Sequence, residues 1–311
     1  MRDYKKIIFV LILILLALQL VLMSKDKDVE PAEPVVAVST FAIYDIVKHI
    51  SDGTFEIINI LPAGVDAHSF EPTPKLMASI EKSALVIYSG AGLEPWTSGF
   101  HFEHGSLNIS KHIKLRELES NEFDLHEHHD HQCAHSKIDP HYWLDIKNMI
   151  IATNIITQEL ISIFPQHKDL YIKNAQKYMD DLESLDEVYK NALGGCRIEN
   201  IITNHNAFSY LAHRYGFKVE ALSGLSPETE PSAKDIMRIM EHIKEDGVNT
   251  IFFESFVSDK VMKSIAKDLN VEVDVLQPLG NITADELDNN ATYQMIMRDN
   301  LDKLYKALMC D

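Results

Sequence analysis

The chain is poor in positive charge: 29 lysines and arginines stand against 47 aspartates and glutamates, a formal net charge of −18 over 311 residues. Nucleic-acid phosphates need a basic face, so a nucleic-acid partner is excluded. Catalytic signatures are missing as well. There is no His-Glu-x-x-His, because the run His126-Glu127-His128-His129-Asp130 closes on aspartate. Nor is there a Gly-x-Ser-x-Gly, a Gly-Lys-Ser/Thr phosphate loop or a dinucleotide glycine fingerprint. A nucleotide-driven activity of its own is therefore not expected, and a zinc-dependent hydrolase is the weaker alternative. Cysteine is scarce, with only Cys133, Cys196 and Cys310. An exported chain permits Cys196 to pair with Cys310, which sequence alone does not establish. Cys133 lies among histidines and suits a metal better.

Hydrophobic content is 46%, enough for real cores, and the length accommodates two domains. The long apolar run is at the start. Arg2, Lys5 and Lys6 precede Ile7 to Met23, interrupted only by Gln19. A positive flank before an apolar stretch is the pattern of a signal peptide or N-terminal anchor. As a helix the run would reach about 25 Å, at the short end of what spans a bilayer. Val21-Leu22-Met23-Ser24 lacks a small-x-small cleavage pattern, and no cysteine follows to carry a lipid. Residues 1–23 are therefore expected to be an uncleaved membrane anchor, with a cleaved signal as the second reading. Both place the remainder outside the cytoplasmic membrane, in a periplasm or on the outer cell surface. Residues 24–34, charged and proline-containing, read as a linker.

From Val35 onward the pattern is α/β. Strands are expected at Val35–Ser39, Phe55–Leu61 and Ala84–Tyr88, alternating with helices at Tyr44–Ile50 and Pro74–Lys82. The stretch 91–140 reads as irregular, and a helix resumes from Asp145 to about Ile163. Beyond Pro165, apolar residues from Leu170 to Leu193 recur at three- and four-residue steps and stop at Gly194-Gly195. After it the alternation restarts, with strands at Ile198–Thr203, Phe217–Leu222, Thr250–Phe253 and Val271–Leu276. Helices are expected at Ala207–Tyr215, Ser232–Glu245, Asp259–Leu269 and Thr292–Met309. The expected architecture is two α/β domains, 35–163 and 195–311, each a short parallel sheet flanked by helices, joined by one long rigid helix over 164–194.

Asp124 to His135 reads DLHEHHDHQCAH, five of its twelve residues being histidine. It has almost nothing apolar to bury, and imidazole is the commonest metal ligand near neutral pH. Within the α/β framework three further histidines follow strand ends, where such folds present ligand groups. His68 follows the second strand, His141 lies in Asp139-Pro-His-Tyr-Trp-Leu-Asp145, and His205 follows the first strand of the second half. A metal held by all three would sit between the two domains.

The phrases ILPAGVDAHSFEPTP, DPHYWLDIKN, NHNAFSYLAHRYGF, SPETEPSAKDI and IFFESFVS resemble the metal-binding solute-binding proteins of ABC transporters, the zinc and manganese uptake family. The resemblance runs from about Val35 to Leu308, and the histidine-rich segment matches the zinc members. It implies that His68, His141 and His205 ligate Zn²⁺, and that the protein captures zinc for a membrane permease powered by a separate ATPase. It implies no catalysis, and a monomer is expected. Imidazole suits zinc, whereas manganese, the alternative cargo, calls for more oxygen donors. The fourth ligand stays open: Gly280 stands where relatives often carry an acid, leaving water, chloride or a shifted carboxylate such as Glu254. Asp139 and Asp145 are expected either to orient imidazoles or to cap the following helix. The His126–His135 loop is expected to bind further zinc more weakly.

Overall fold

In the computed structural model the described residues are 34–100, 102, 104–117, 138–225, 227, 231–255 and 260–311. The anchor expected over 1–23, all but the last residue of the linker, and the histidine-rich segment 124–135 with Cys133 lie outside them. Among the described residues no helix is long and apolar enough to cross a membrane.

Short β-branched runs form the first sheet. β1 (Val35–Val38), β2 (Glu56–Asn59), β3 (Leu85–Tyr88) and β4 (Ser106–Asn108) are all parallel, in the order β2-β1-β3-β4. Val36, Ala37, Val38, Leu85, Val86 and Ile87 are buried. Near-continuous apolar strands are what a parallel sheet covered on both faces requires. Helix α1 (Phe41–Ser51) buries Phe41, Ile43, Ile46, Val47 and Ile50 along one stripe. Helix α2 (Pro74–Glu81) starts with proline in its first turn, and its Thr73 cap accepts from Leu76 N at 3.3 Å.

The second sheet repeats the plan. β5 (Asn200–His205), β6 (Lys218–Ser223), β7 (Thr250–Phe253) and β8 (Glu272–Val275) are parallel, in the order β6-β5-β7-β8. In both sheets the order reverses between the first strand and the third. Crevices for ligands open beyond the carboxyl ends of strands at such a reversal.

Helix α3 (Ile146–Ile163) leads through a short 3₁₀ turn into α4 (Lys168–Leu193), the long helix. Its 26 residues reach about 39 Å. Tyr171, Ala175, Tyr178, Leu182, Leu185, Tyr189 and Leu193 form its buried stripe. Tyr178 donates to Asp45 of α1 at 2.7 Å, and Tyr189 donates at 2.6 Å to the carbonyl of Met297 in α9 (Tyr293–Ala307). The long helix is thus fixed to both halves by buried hydroxyls. Asp186, fully buried on it, takes Lys147 of α3, Lys190 and Tyr215 of α5 (Ser209–Tyr215).

Helices α6 (Ala233–Glu245), α7 (Lys260–Leu269) and α8 (Ala284–Asp288) complete the second half. Two elements depart from the sequence reading. β4 lies inside 91–140, and α8 precedes the last helix. With three and five residues respectively, neither is long enough to show a period. α8 is held instead by a capping box between Thr283 and Glu286. β5 also runs two residues beyond its expected end. The polar pair Asn204-His205 carries no strand propensity, yet the ladder continues until His205 pairs with Ser223. Cys196 and Cys310 form a disulfide, the pairing that sequence left open.

Candidate metal centre

His205 is the last residue of β5 and His68 lies in the loop that follows β2. His141 immediately precedes a 3₁₀ turn, Tyr142–Leu144, that leads into α3. The fold brings all three together, each with a ligand atom within 4.8 Å of the others. Ring centroids are 5.1 Å apart for His68–His141, 5.3 Å for His141–His205 and 6.0 Å for His68–His205. His141 and His205 are buried, and His68 is partly so.

The Nε2 atoms of His68 and His141 face one another at 3.2 Å. Two Zn–N bonds of 2.0–2.1 Å at the tetrahedral angle place their nitrogens roughly 3.3–3.4 Å apart. The observed edge is within about 0.2 Å of that. Asp139 sets the orientation. Its Oδ1 accepts from the backbone N of His141 at 2.9 Å and lies 2.8 Å from His141 Nδ1. A carboxylate on Nδ1 fixes the proton there and frees the Nε2 lone pair for a cation. Asp66 steadies the His68 loop by accepting from the His68 backbone N at 2.7 Å. The two candidate orienting acids divide the work, Asp145 being engaged elsewhere. It caps α3 through Lys147 N at 2.9 Å and pairs with the Arg214 guanidinium.

Glu254, one residue past β7, lies with Oε1 against Nδ1 of His205. It also borders the cavity between the rings. Burial pushes its carboxyl up to about 8, although His141 and Asn204 pull the other way. Burial, with neighbouring His141, lowers His205 to about 3, and Asp66 and Asp139 offset this only in part. His68 is held well below the ordinary imidazole value by burial, then by His141 and His205. Neutral imidazoles with available lone pairs are the form a cation needs.

Gly280 contributes no side chain, but the loop carrying it closes the site. Trp143 Nε1 donates to Pro278 O at 2.7 Å, and Phe41 N donates to Gly280 O at 3.1 Å. Asn281 Nδ2 donates to Pro62 O at 2.6 Å and Val65 O at 2.8 Å, bracing the loop that bears His68. Leu279, buried in the same loop, adopts φ 58°. The sequence reading missed Trp143 and Asn281. Trp143 stands two residues from His141 in the same motif, a usable signal. Nothing in the sequence marks Asn281.

The cavity between the rings measures about 30 Å³. That is the space of one water molecule and far below the several hundred Å³ of an organic-ligand pocket. The space between the rings therefore suits a single ion with one small extra ligand.

Comparison with known proteins agrees with this chemistry. Residues 36–307 match the family model described as zinc-uptake complex component A, periplasmic. The high-affinity zinc uptake system protein ZnuA of Bacillus subtilis is 32% identical over 279 residues, covering 88% of this chain and 87% of its own. The zinc-binding lipoprotein AdcA of Streptococcus pneumoniae is 30% identical over 86% of this chain, which spans only 54% of that relative's length. Among solved structures, the laminin-binding protein Lmb of Streptococcus agalactiae, described as both adhesin and metal transporter, superposes with a TM-score of 0.78. It is 31% identical, covering 88% of this chain and 99% of that one. The Zn(II)-bound ZnuA-like domain of S. pneumoniae AdcA gives 0.74 at 26% identity, covering 89% and 99%. This is a family of solute-binding proteins and not of enzymes, and the chain belongs to it: it is a member of the zinc-uptake complex component A family.

Proposed function

We propose that the chain is the extracytoplasmic zinc-capturing subunit of an ABC importer. His68, His141 and His205 hold Zn²⁺ in the cleft between the halves 35–163 and 195–311. The loaded protein, as a monomer, then docks on a membrane permease driven by a separate ATPase. The observation that carries this reading is the convergence of three imidazoles, two of them at tetrahedral nitrogen spacing, around a cavity of ion size. The names of the Bacillus subtilis and Streptococcus pneumoniae relatives support zinc as cargo. An all-nitrogen donor set favours zinc over manganese, which prefers oxygen. Glu254 lies against His205 Nδ1, and a water-sized ligand completes the tetrahedron. The segment His126–His135 is an accessory that gathers further zinc with lower affinity, and residues 1–23 tether the protein to the membrane.

The test is elemental analysis of the native protein beside competition titrations of His68→Ala, His141→Ala and His205→Ala. Each substitution should weaken zinc binding by orders of magnitude. Tight binding that survives all three would overturn the cleft. Histidine-dependent turnover of a peptide, ester or phosphate would point to a hydrolase instead.

A further inference from the structure

The element that supplies His205 also grips the loop that carries His141. β5 ends at His205, and α5 begins four residues later at Ser209. Ser209 Oγ donates to Asp139 Oδ2 in a buried hydrogen bond. The next residue, Tyr210, donates its hydroxyl to the Asp139 carbonyl at 3.0 Å and accepts from Arg116 N at 2.7 Å. Asp139 itself is fully buried, and its other oxygen, Oδ1, faces both the backbone N and Nδ1 of His141. A continuous line thus runs from Ser209 hydroxyl to Asp139 carboxylate to His141 imidazole, crossing from the second half to the first.

From this geometry we infer that Ser209 is a positioning residue for zinc: it locks the rotation of the Asp139 carboxylate, and so the aim of His141 Nε2, to the same segment that presents His205. The inference rests on the zinc reading of the cleft. A carboxylate pinned at one oxygen only can turn about its terminal bond, whose torsional wells are broad. Pinned at both oxygens, it holds the imidazole in one tautomer and one plane. Groups behind a metal ligand typically change metal affinity tenfold to a hundredfold when removed. Ser209 acts one step further back, so the lower end applies.

The experiment measures zinc dissociation constants by chelator competition in the full chain, for Ser209→Ala, Asp139→Ala and the double variant, with His141→Ala as reference. Ser209→Ala is expected to weaken binding about tenfold. In the Asp139→Ala background the same change should have less than a twofold effect, because the line is already cut. Ser209→Thr, which keeps the hydroxyl, should restore most of the affinity. Co²⁺-substituted Ser209→Ala should show an altered visible ligand-field spectrum, which a purely structural loss would not produce. Should the alanine variant fail to fold, Ser209→Cys, similar in size with a weak donor, takes its place with the same expectation. Unchanged affinity in Ser209→Ala, or additive losses in the double variant, would overturn the inference while leaving the cleft intact. Unchanged affinity in His141→Ala would overturn the cleft itself.

Discussion

Glu254 rests Oε1 against Nδ1 of His205, at the ends of the neighbouring strands β7 and β5. Both groups are buried, and both are driven toward their neutral forms, Glu254 to about 8 and His205 to about 3. At pH 7 the empty site therefore holds a protonated carboxyl beside a neutral ring. A dication on His205 places positive charge beside the carboxyl and favours the carboxylate, so zinc should expel the Glu254 proton. Binding at pH 7 is expected to release about one proton per zinc, read by a pH indicator in weak buffer. Glu254→Gln should abolish that release. A release that persists in Glu254→Gln would assign the proton elsewhere.

The same shifts fix the pH dependence of affinity and stability. His68 and His205 lie below the ordinary imidazole value, so protons compete for them only in more acidic solution. Acid should therefore displace zinc from these two rings only at lower pH than it would from free imidazoles, while protonation of Glu254 already opposes binding at neutral pH; chelator competition between pH 7 and 4 checks this. Stability of the zinc-free protein follows by linkage. The contribution of a depressed histidine such as His205 is present above its unfolded value of 6.5 and is lost as pH falls toward about 3. The contribution of Glu254 is present below its unfolded value of 4.5 and is lost as pH rises through about 8. Glu254→Gln should therefore flatten the decline of melting temperature between about pH 4.5 and 8.

Replacing a nitrogen donor with oxygen should move metal preference. His205→Asp keeps a donor at the end of β5 but makes it hard and anionic. Zinc is expected to lose affinity and manganese to gain relative to it. Paired competition titrations of the two ions check this, and an unchanged zinc-to-manganese ratio would count against His205 as a ligand.

The elements differ in how plainly the sequence announces them. Apolar runs such as Val35–Val38 and the Leu170–Leu193 stripe carry their own period, so both sheets and the long helix could be read directly. His68 and His141 stand in phrases marked by proline and aspartate, His205 between two asparagines, and those phrases drew attention to them. Elements of three to five residues, β4 and α8, have no period to read. Contacts between the halves were invisible for a different reason. Asn281 to the carbonyls of Pro62 and Val65, and Ser209 to Asp139, join residues 219, 216 and 70 positions apart. No local pattern encodes such pairings. They follow only once the two sheets face each other.

Removing the histidine-rich segment tests the accessory role by itself. A chain lacking residues 124–135 should keep the tight cleft site with an unchanged dissociation constant. It should lose the weaker equivalents of zinc expected of the full chain. Uptake at the lowest zinc concentrations should then fall in cells. If uptake is unchanged there, the segment plays no part in gathering the ion.

The disulfide offers the cleanest separation of stability from binding. Cys196 follows the end of α4, Cys310 follows α9, and 114 positions lie between them. The link encloses the entire second half, including β5 and His205, but none of the first. Closing a loop of that length restricts the unfolded chain by about 4–5 kcal/mol on a chain-entropy account, with measured losses generally about 2–5 kcal/mol. Cys196→Ser with Cys310→Ser should lower the unfolding free energy by about that amount in urea denaturation. The folded ring positions do not depend on the bond, since β5 is held by β6 and β7 on either side. Zinc stoichiometry at the cleft should therefore stay at one, and saturating zinc should recover part of the lost stability by mass action. A double variant that folds normally but no longer binds zinc would show instead that the disulfide shapes the site.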